Sequence, residues 1–313
     1  MLDAPYYDAI AQAPVDGACH WVKTGDGLRI RLGHWTGKDA RGTVLLFPGR
    51  TEYIEKYGHV AGDMLARGYA TLTIDWRGQG IADRMNPDRL LGHVGKFTDY
   101  QHDVAAMVDH ARALGLAEPF YLLAHSMGGC IGLRSLHQGL PVRAAAFSAP
   151  MWGIKMAAYL RPTAWALSTL SRSFGLDDQF APGQDGNTYV LKTAFAENTL
   201  TSDRGMFNLM QSQLRENPDL TIGGPSLRWL NEALREMREL AARPSPDLPC
   251  VTWLGTEEQI VDSRRVHARM AKWPQGTLHV MSQARHEVLM EKPAIRNRVF
   301  DGTAALFDAH PNP

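Results

Sequence analysis

Phe120-Tyr121-Leu122-Leu123-Ala124-His125-Ser126-Met127-Gly128-Gly129 decides how this chain of 313 residues folds. Residues 120–123 form a short, wholly apolar run of the kind buried on both faces of a parallel sheet. A helical period begins after the serine and continues to His137. Strand, sharp turn and helix, with small residues two before and two after Ser126, approximate the G-x-S-x-G elbow, with Ala124 at its first position. The turn is tight, so a larger side chain at either small position would strike the neighbouring strand or helix. Ser126 then stands at a helix N-terminus, where free N–H groups and the helix dipole favour developing negative charge. The competing reading of the pentapeptide alone is an ordinary strand-to-helix turn with a capping serine.

The same alternation extends in both directions. Upstream, residues 43–47 are a second apolar run closed by Pro48-Gly49, residues 55–67 are helical in period, and residues 69–74 are a third strand. Residues 19–23 and 28–35 flank Thr24-Gly25-Asp26-Gly27, a hairpin signal. Residues 99–114 read as an amphipathic helix and 143–147 as a strand. From about Met151 the alternation stops; helical segments follow, clearest at 159–170, 205–215 and 227–241. The proline-rich residues 243–249 then lead back to a strand at 251–254, a helix at 263–272, a last strand at 277–281 and a closing helix from His286 onward. Strands and helices in strict alternation imply an α/β fold with a mostly parallel central sheet and helices on both faces. The expected organisation is one core domain, residues 1–150 and 246–313, interrupted by a helical cap at 151–245.

Composition narrows the function. Hydrophobic residues make up 44% and charged residues 21%, which fits a globular protein. Lys and Arg total 33 against 33 Asp and Glu, so no global field draws the chain onto nucleic acid. Cys19, Cys130 and Cys250 are far apart and form no C-x-x-C pair, which suits a reducing compartment and argues against zinc or a redox dithiol. Residues 1–14 lack the basic and apolar regions of a secretory signal, and no apolar run approaches the roughly 18–20 residues of a membrane helix. A cytoplasmic location is expected.

A serine needs a base and an orienting acid, in the chain order Ser, acid, His for this type of elbow. His286 follows the last expected strand in a loop, whereas His267 and His279 fall within a helix and a strand. The acid belongs after strand 251–254, where Glu257, Glu258 and Asp262 compete; Glu258 is preferred, and each could instead be a solvated loop charge or a helix cap. Backbone donors for an oxyanion are expected at Met127 and at Arg50, Pro48 being too early in its turn to matter. Neither metal-ligand spacing nor a dinucleotide-type glycine loop occurs, so no metal and no cofactor are expected. Cys130 reads as a packed small side chain. Met151, Trp152, Met156, Trp165, Phe174, Phe180, Phe195, Met206, Phe207 and Trp229 make the insertion greasy; most such residues would form its own core.

Taken together, these motifs resemble the monoacylglycerol lipase and lysophospholipase group of the α/β-hydrolase superfamily. The similarity lies in Phe47-Pro48-Gly49-x-x-Glu52, Asp75-x-Arg77-Gly78-x-Gly80, Gly92-His93, Phe97-x-Asp99-Tyr100-x-x-Asp103 and Ala124-His125-Ser126-Met127-Gly128-Gly129. It continues in Gly255-x-x-Glu258-x-Ile260-Val261 and His286-Glu287-x-x-x-Glu291, and Asn198-Thr199-Leu200-Thr201-Ser202-Asp203 resembles bacterial members. The resemblance implies a Ser126–Glu258–His286 triad, oxyanion donors at Arg50 and Met127, and a mobile cap over an acyl site. It further implies a small lipid or ester substrate, cleaved through an acyl-enzyme without a cofactor. Two departures stand out: Pro48 replaces the usual His, and Glu258 the usual Asp. Glu52, Asp75 and Arg77 are expected to brace the loops around the oxyanion turn. The alternatives are a proline iminopeptidase-like peptidase, whose substrate amine Asp177, Asp178 or Glu197 would hold, and a non-catalytic binding protein. Transient contact with a membrane surface is conceivable, although no basic amphipathic helix announces it, and the oligomeric state is left open.

Overall fold

Thr43–Phe47 (β4) is buried at all five positions, and its neighbours explain why. Val44 and Leu46 face one side of the sheet, with Leu123, Val251 and Trp253; Leu45 and Phe47 face the other, with Leu72, Leu122 and Ala124. A strand covered on both faces is apolar along most of its length, because strict alternation would bury a row of polar side chains. The structure, a computed structural model, describes every residue except Met1, Ala158 and Pro313.

The strands are Leu2–Asp3 (β1), Ala18–Lys23 (β2), Arg29–Trp35 (β3), β4, Ala70–Asp75 (β5), Phe120–His125 (β6), Ala145–Ser148 (β7), Cys250–Gly255 (β8) and Gly276–Met281 (β9). They form one sheet in the order β1-β2-β3-β5-β4-β6-β7-β8-β9. The pairs β1–β2, β2–β3 and β3–β5 are antiparallel; every pair from β5 to β9 is parallel. Strand order reverses between β4 and β6, so a crevice opens beyond their C-terminal ends, where open α/β sheets bind ligands.

The helices are Asp8–Ala11 (α1), Gly58–Leu65 (α2), Tyr100–Ala113 (α3), Met127–His137 (α4), Leu160–Ser173 (α5), Tyr189–Lys192 (α6), Arg204–Glu216 (α7), Leu227–Ala242 (α8), Ser263–Met270 (α9) and Pro293–Asp308 (α10). Buried residues of α3, α4, α8 and α9 pack on one face of the sheet, and those of α2 and α10 on the other. The segment between β7 and β8 carries α5 to α8. Of these, α8 is tied to the sheet layer: Trp229, Ala233, Met237 and Leu240 join the core, and Arg134 of α4 lies 2.6 Å from Glu236. Asp203 and Ser226 cap α7 and α8 by accepting the N–H groups of Met206 and Trp229.

Most elements lie within one to three residues of the sequence expectation, and the departures that bear on the site are these. The helix expected at 55–67 is a 3-10 turn, Ile54–Tyr57, followed by α2, because the Glu55 and Lys56 side chains are drawn inward to buried partners. The strand expected at 143–147 begins two residues later, at Ala145. The closing helix does not start at His286: that residue lies in a loop, then comes the 3-10 turn Val288–Met290, and Pro293 opens α10. Finally, β1 and α1 have no counterpart in the sequence pattern.

Candidate active site

Ser126 lies between β6 and α4 with φ +49°, a left-handed backbone rarely adopted by a side-chain-bearing residue and one that marks a strained turn. The elbow is held by the Ser126 N–H donating to Ser148 O (3.0 Å) and by Ser126 O accepting from Met151 N (2.8 Å). A Cβ at Gly128 would stand 2.1 Å from Phe47 O and 2.6 Å from Pro48 O. Gly128 therefore lets the start of α4 rest directly on the turn after β4, the turn that carries Arg50. Met127 opens a helix and has no intrahelical acceptor for its N–H. Among the described residues, neither that N–H nor the Arg50 N–H donates to a protein acceptor. Thr51, with φ +65°, completes the turn, and its N–H donates to Gln79 Oε1 at 2.7 Å.

Glu258, in the loop after β8, is fixed at both carboxylate oxygens. Oε1 accepts the N–H groups of Ile260 (2.5 Å) and Val261 (3.0 Å), and Oε2 lies 2.7 Å from His286 Nδ1. Burial opposes its charge, but the facing imidazole and these hydrogen bonds outweigh burial and hold the carboxyl below its ordinary range. Asp262 instead accepts the Arg264 N–H as the N-cap of α9 and binds Arg161 at 2.9 Å; Glu257 faces Arg285 at 3.5 Å. Of the three acids read from the sequence, the fold thus brings Glu258 to His286 and gives the others different partners. His267 lies in α9, and His279 of β9 stacks on Trp253.

The His286 loop is anchored from two sides. A Cβ on Gly255 would stand 2.2 Å from Ala284 O, so the end of β8 lies against the loop. On the other side, residues 198–203 of the inserted segment grip it: the Glu287 N–H donates to Leu200 O, Thr201 Oγ1 to Met290 O, and Arg285 Nη1 to the carbonyls of Asn198 and Thr201. Nδ1 is committed to Glu258, which leaves Nε2 as the His286 nitrogen outside that pair. Ser126 and His286 line the same cavity, of about 590 Å³, together with Arg50 and residues of α5, α7 and α8.

A family model described as serine aminopeptidase, S33, matches residues 38–293. The chain belongs to this family of serine hydrolases. Lysophospholipase L2 of Escherichia coli strain K12 is 30% identical over 298 residues, covering 92% of this chain and 86% of that protein. Phospholipase YtpA of Bacillus subtilis is 25% identical over 289 residues, covering 88% and 99%. A soluble variant of monoglyceride lipase from Saccharomyces cerevisiae, solved with a substrate analog, superposes with a TM-score of 0.73 at 22% identity, covering 94% of this chain and 96% of that one. The fold is accordingly the α/β-hydrolase fold.

Beneath the serine of this S33-family chain lies a buried ionic group that sequence reasoning did not assemble. Lys56 Nζ is 2.5 Å from Glu52 Oε1 and 2.6 Å from Glu287 Oε1; His125 Nε2 is 3.3 Å from Glu287 Oε2. Glu52 also accepts from the Gly49 N–H and the Tyr57 hydroxyl. Burial disfavours the charges of Lys56, His125 and Glu287, yet the opposed partners prevail: His125 and Lys56 are raised and Glu287 is held far below the carboxylate range. Glu52, His125 and Glu287 have a metal-ligand composition, but the Lys56 ammonium already supplies the cation that bridges both carboxylates. The group joins the turn after β4, the residue before Ser126 and the residue after His286. The one available signal was Glu52 and Glu287 recurring in the motifs; nothing in sequence links them across more than 200 positions. Asp75 accepts from Arg31 and the Ile54 and Ile81 N–H groups, and Arg77 binds Asp103 and Asp26, so both brace the adjoining loops.

Proposed function

We propose that this serine ester hydrolase cleaves the acyl ester of a single-chain lipid, a lysophospholipid or a monoacylglycerol, through an acyl-enzyme on Ser126. The observation that carries this reading is the cavity beside Ser126 and His286, walled by Met151, Ile154, Met156, Leu200, Met210 and Leu230. Its volume suits a small-molecule site, and its apolar wall suits a hydrocarbon chain. His286 takes the proton from Ser126 Oγ as that oxygen attacks the ester carbonyl, while Glu258 orients the ring and balances its charge. The Arg50 and Met127 N–H groups receive the oxyanion. His286 returns the proton to the leaving alcohol, and water then cleaves the acyl-enzyme by the same route.

The family description names an aminopeptidase, and that reading makes a different demand: a carboxylate to hold the substrate's ammonium. Glu52 and Glu287 are the carboxylates lining the cavity among the described residues, and Lys56 already binds both. Asp177 is engaged by Arg228 at 2.6 Å, and Asp177, Asp178 and Glu197 lie outside the cavity wall. Esters are therefore favoured. Activity across acyl-matched lysophospholipids, monoacylglycerols and an aminoacyl anilide tests this: the lipids should be preferred by orders of magnitude, and preferential cleavage of the anilide would overturn it.

Residues 151–245 act on this reading as a cap, with α5 at the lip. Thr163, Ala164 and Leu167 line the cavity, while Leu170 (57% exposed) and Phe174 (74% exposed) continue the same helical stripe to the outside. Among the described residues no helix is long and apolar enough to cross a membrane. An exposed apolar stripe continuous with cavity-lining residues suits transient contact with a lipid surface.

A further inference from the structure

Arg50 has a second feature besides its backbone. Its half-buried guanidinium lines the cavity, 5.6 Å from the Trp229 ring, and Nη1 donates to Gly223 O at 2.9 Å. That is one of five N–H donors. Three of the most buried arginines are matched by carboxylates: Arg31 by Glu55 and Asp75, Arg77 by Asp103 and Asp26, Arg134 by Glu236 and Glu239. Arg84, which also lacks a carboxylate, gives its donors to the carbonyls of Gly80, Gln79, Ala82 and Arg89. Arg50 has no carboxylate partner among the described residues and gives a donor to one carbonyl, that of Gly223; Arg269, likewise without a carboxylate, donates to Leu240 O and Ser245 Oγ but does not line the cavity. Enclosure pushes the Arg50 pKa down to about 10, with no carboxylate acting against it, and it remains charged at neutral pH. Lys56, the other cation of the cavity wall, is matched by two carboxylates.

A cation taken from water without a counter-ion is costly, and an anion that arrives with the ligand relieves that cost. We propose that the Arg50 guanidinium is the headgroup subsite, binding the phosphodiester of a lysophospholipid while the Arg50 N–H binds the oxyanion. The proposal rests on the ester-hydrolase reading and selects within it: the preferred substrate carries a phosphate beside the ester. The glycerol carbons that separate ester oxygen from phosphate oxygen are comparable in reach with the side chain that separates Arg50's own N–H from its guanidinium. Planar paired donors match two phosphate oxygens, which a lysine at this place could not reproduce. Gly92 leaves room for the group, since a Cβ there would stand 3.3 Å from Nη1.

The test is kcat/KM for lysophosphatidylglycerol divided by kcat/KM for a monoacylglycerol of the same chain, in the wild type, Arg50→Lys and Arg50→Met. The quotient should fall tenfold or more in Arg50→Met and by less in Arg50→Lys, mainly through KM for the phospholipid. A quotient unchanged in both variants, whatever happens to the absolute rates, overturns the proposal. Inhibition of wild-type hydrolysis of a neutral short-chain ester decides the matter even if the variants do not fold. Glycerophosphoglycerol should compete, and more strongly than inorganic phosphate. Inhibition by free phosphate alone, or by neither, counts against a lipid-headgroup site. If the wild type hydrolyses both lipids and the quotient is insensitive to residue 50, Arg50 alone has been misassigned; if it hydrolyses neither, the ester reading falls and takes this proposal with it.

Discussion

Glu257, Glu258 and Asp262 lie within six positions of one another, and their roles diverge because each carboxylate meets a different donor set. Asp262 is spent on the N-terminus of α9, and Glu257 points to the half-buried Arg285. Glu258 is turned inward by two backbone N–H groups on one oxygen, which leaves the other for His286. The sequence could narrow the acid to this loop; the choice within it depended on where the loop's own N–H groups point. Replacing Glu258 by Gln keeps the shape but removes the charge that supports the imidazolium and its tautomer, and kcat should fall by roughly 10⁴-fold with little change in KM. Steady-state kinetics check this, and a loss under tenfold would exclude Glu258 as the triad acid. Glu258→Asp, one methylene shorter, should retain more activity than Glu258→Gln. Arg50 was legible only as a backbone donor, because no sequence signal tells an arginine with a buried partner from one without.

Elements were legible in proportion to how strongly one physical demand acts on them. Burial on both faces makes β4, β6 and β8 largely apolar runs, and these are the strands that lead into the Arg50 turn, Ser126 and the Glu258 loop. In contrast, β1 spans two residues and α1 four, too short for any period to show. The segment 55–67 reads as one helix because its period is unbroken, yet the inward pull on Glu55 and Lys56 tightens its first turn into a 3-10 helix. The insertion's large apolar residues divide in a way composition does not reveal. Met151, Met156 and Trp229 reach the cavity, Phe207 packs with α7's neighbours, and Phe174 is exposed. If the stripe on α5 meets a lipid surface, Leu170→Glu with Phe174→Glu should lower turnover of vesicle-borne lysophospholipid several-fold. A soluble short-chain ester should be hydrolysed at close to the wild-type rate, and equal losses on both would mean that α5 only shapes the cavity.

For the molecule as a whole, the sheet order and the site are one fact: the reversal between β4 and β6 places Ser126 and the Arg50 turn side by side. Stability has a separate signature in three clustered histidines. His20 of β2 stacks on His34 of β3, and His110 of α3 lies 3.2 Å from His20, with Asp3 of β1 at the edge. Burial, with His20 and His34 beside it, pushes His110 down to about 4. Its folded value thus lies below the roughly 6.5 of an unfolded chain. Above about pH 6.5 both states are neutral here; as pH falls from there towards 4 the unfolded state takes up a proton that the folded state refuses, so stability declines. His110→Gln removes that titration, and its thermal midpoint should fall less steeply than the wild type's across this window; parallel slopes would exclude His110 as the cause. The central claim, a single acyl-enzyme on Ser126, is tested most directly by reacting the protein with a fluorophosphonate and mapping the modified peptide by mass spectrometry. One adduct at Ser126, formed in step with loss of ester hydrolysis and absent from a folded Ser126→Ala protein, is the predicted result. Undiminished hydrolysis after complete labelling, or hydrolysis surviving in Ser126→Ala, would contradict it.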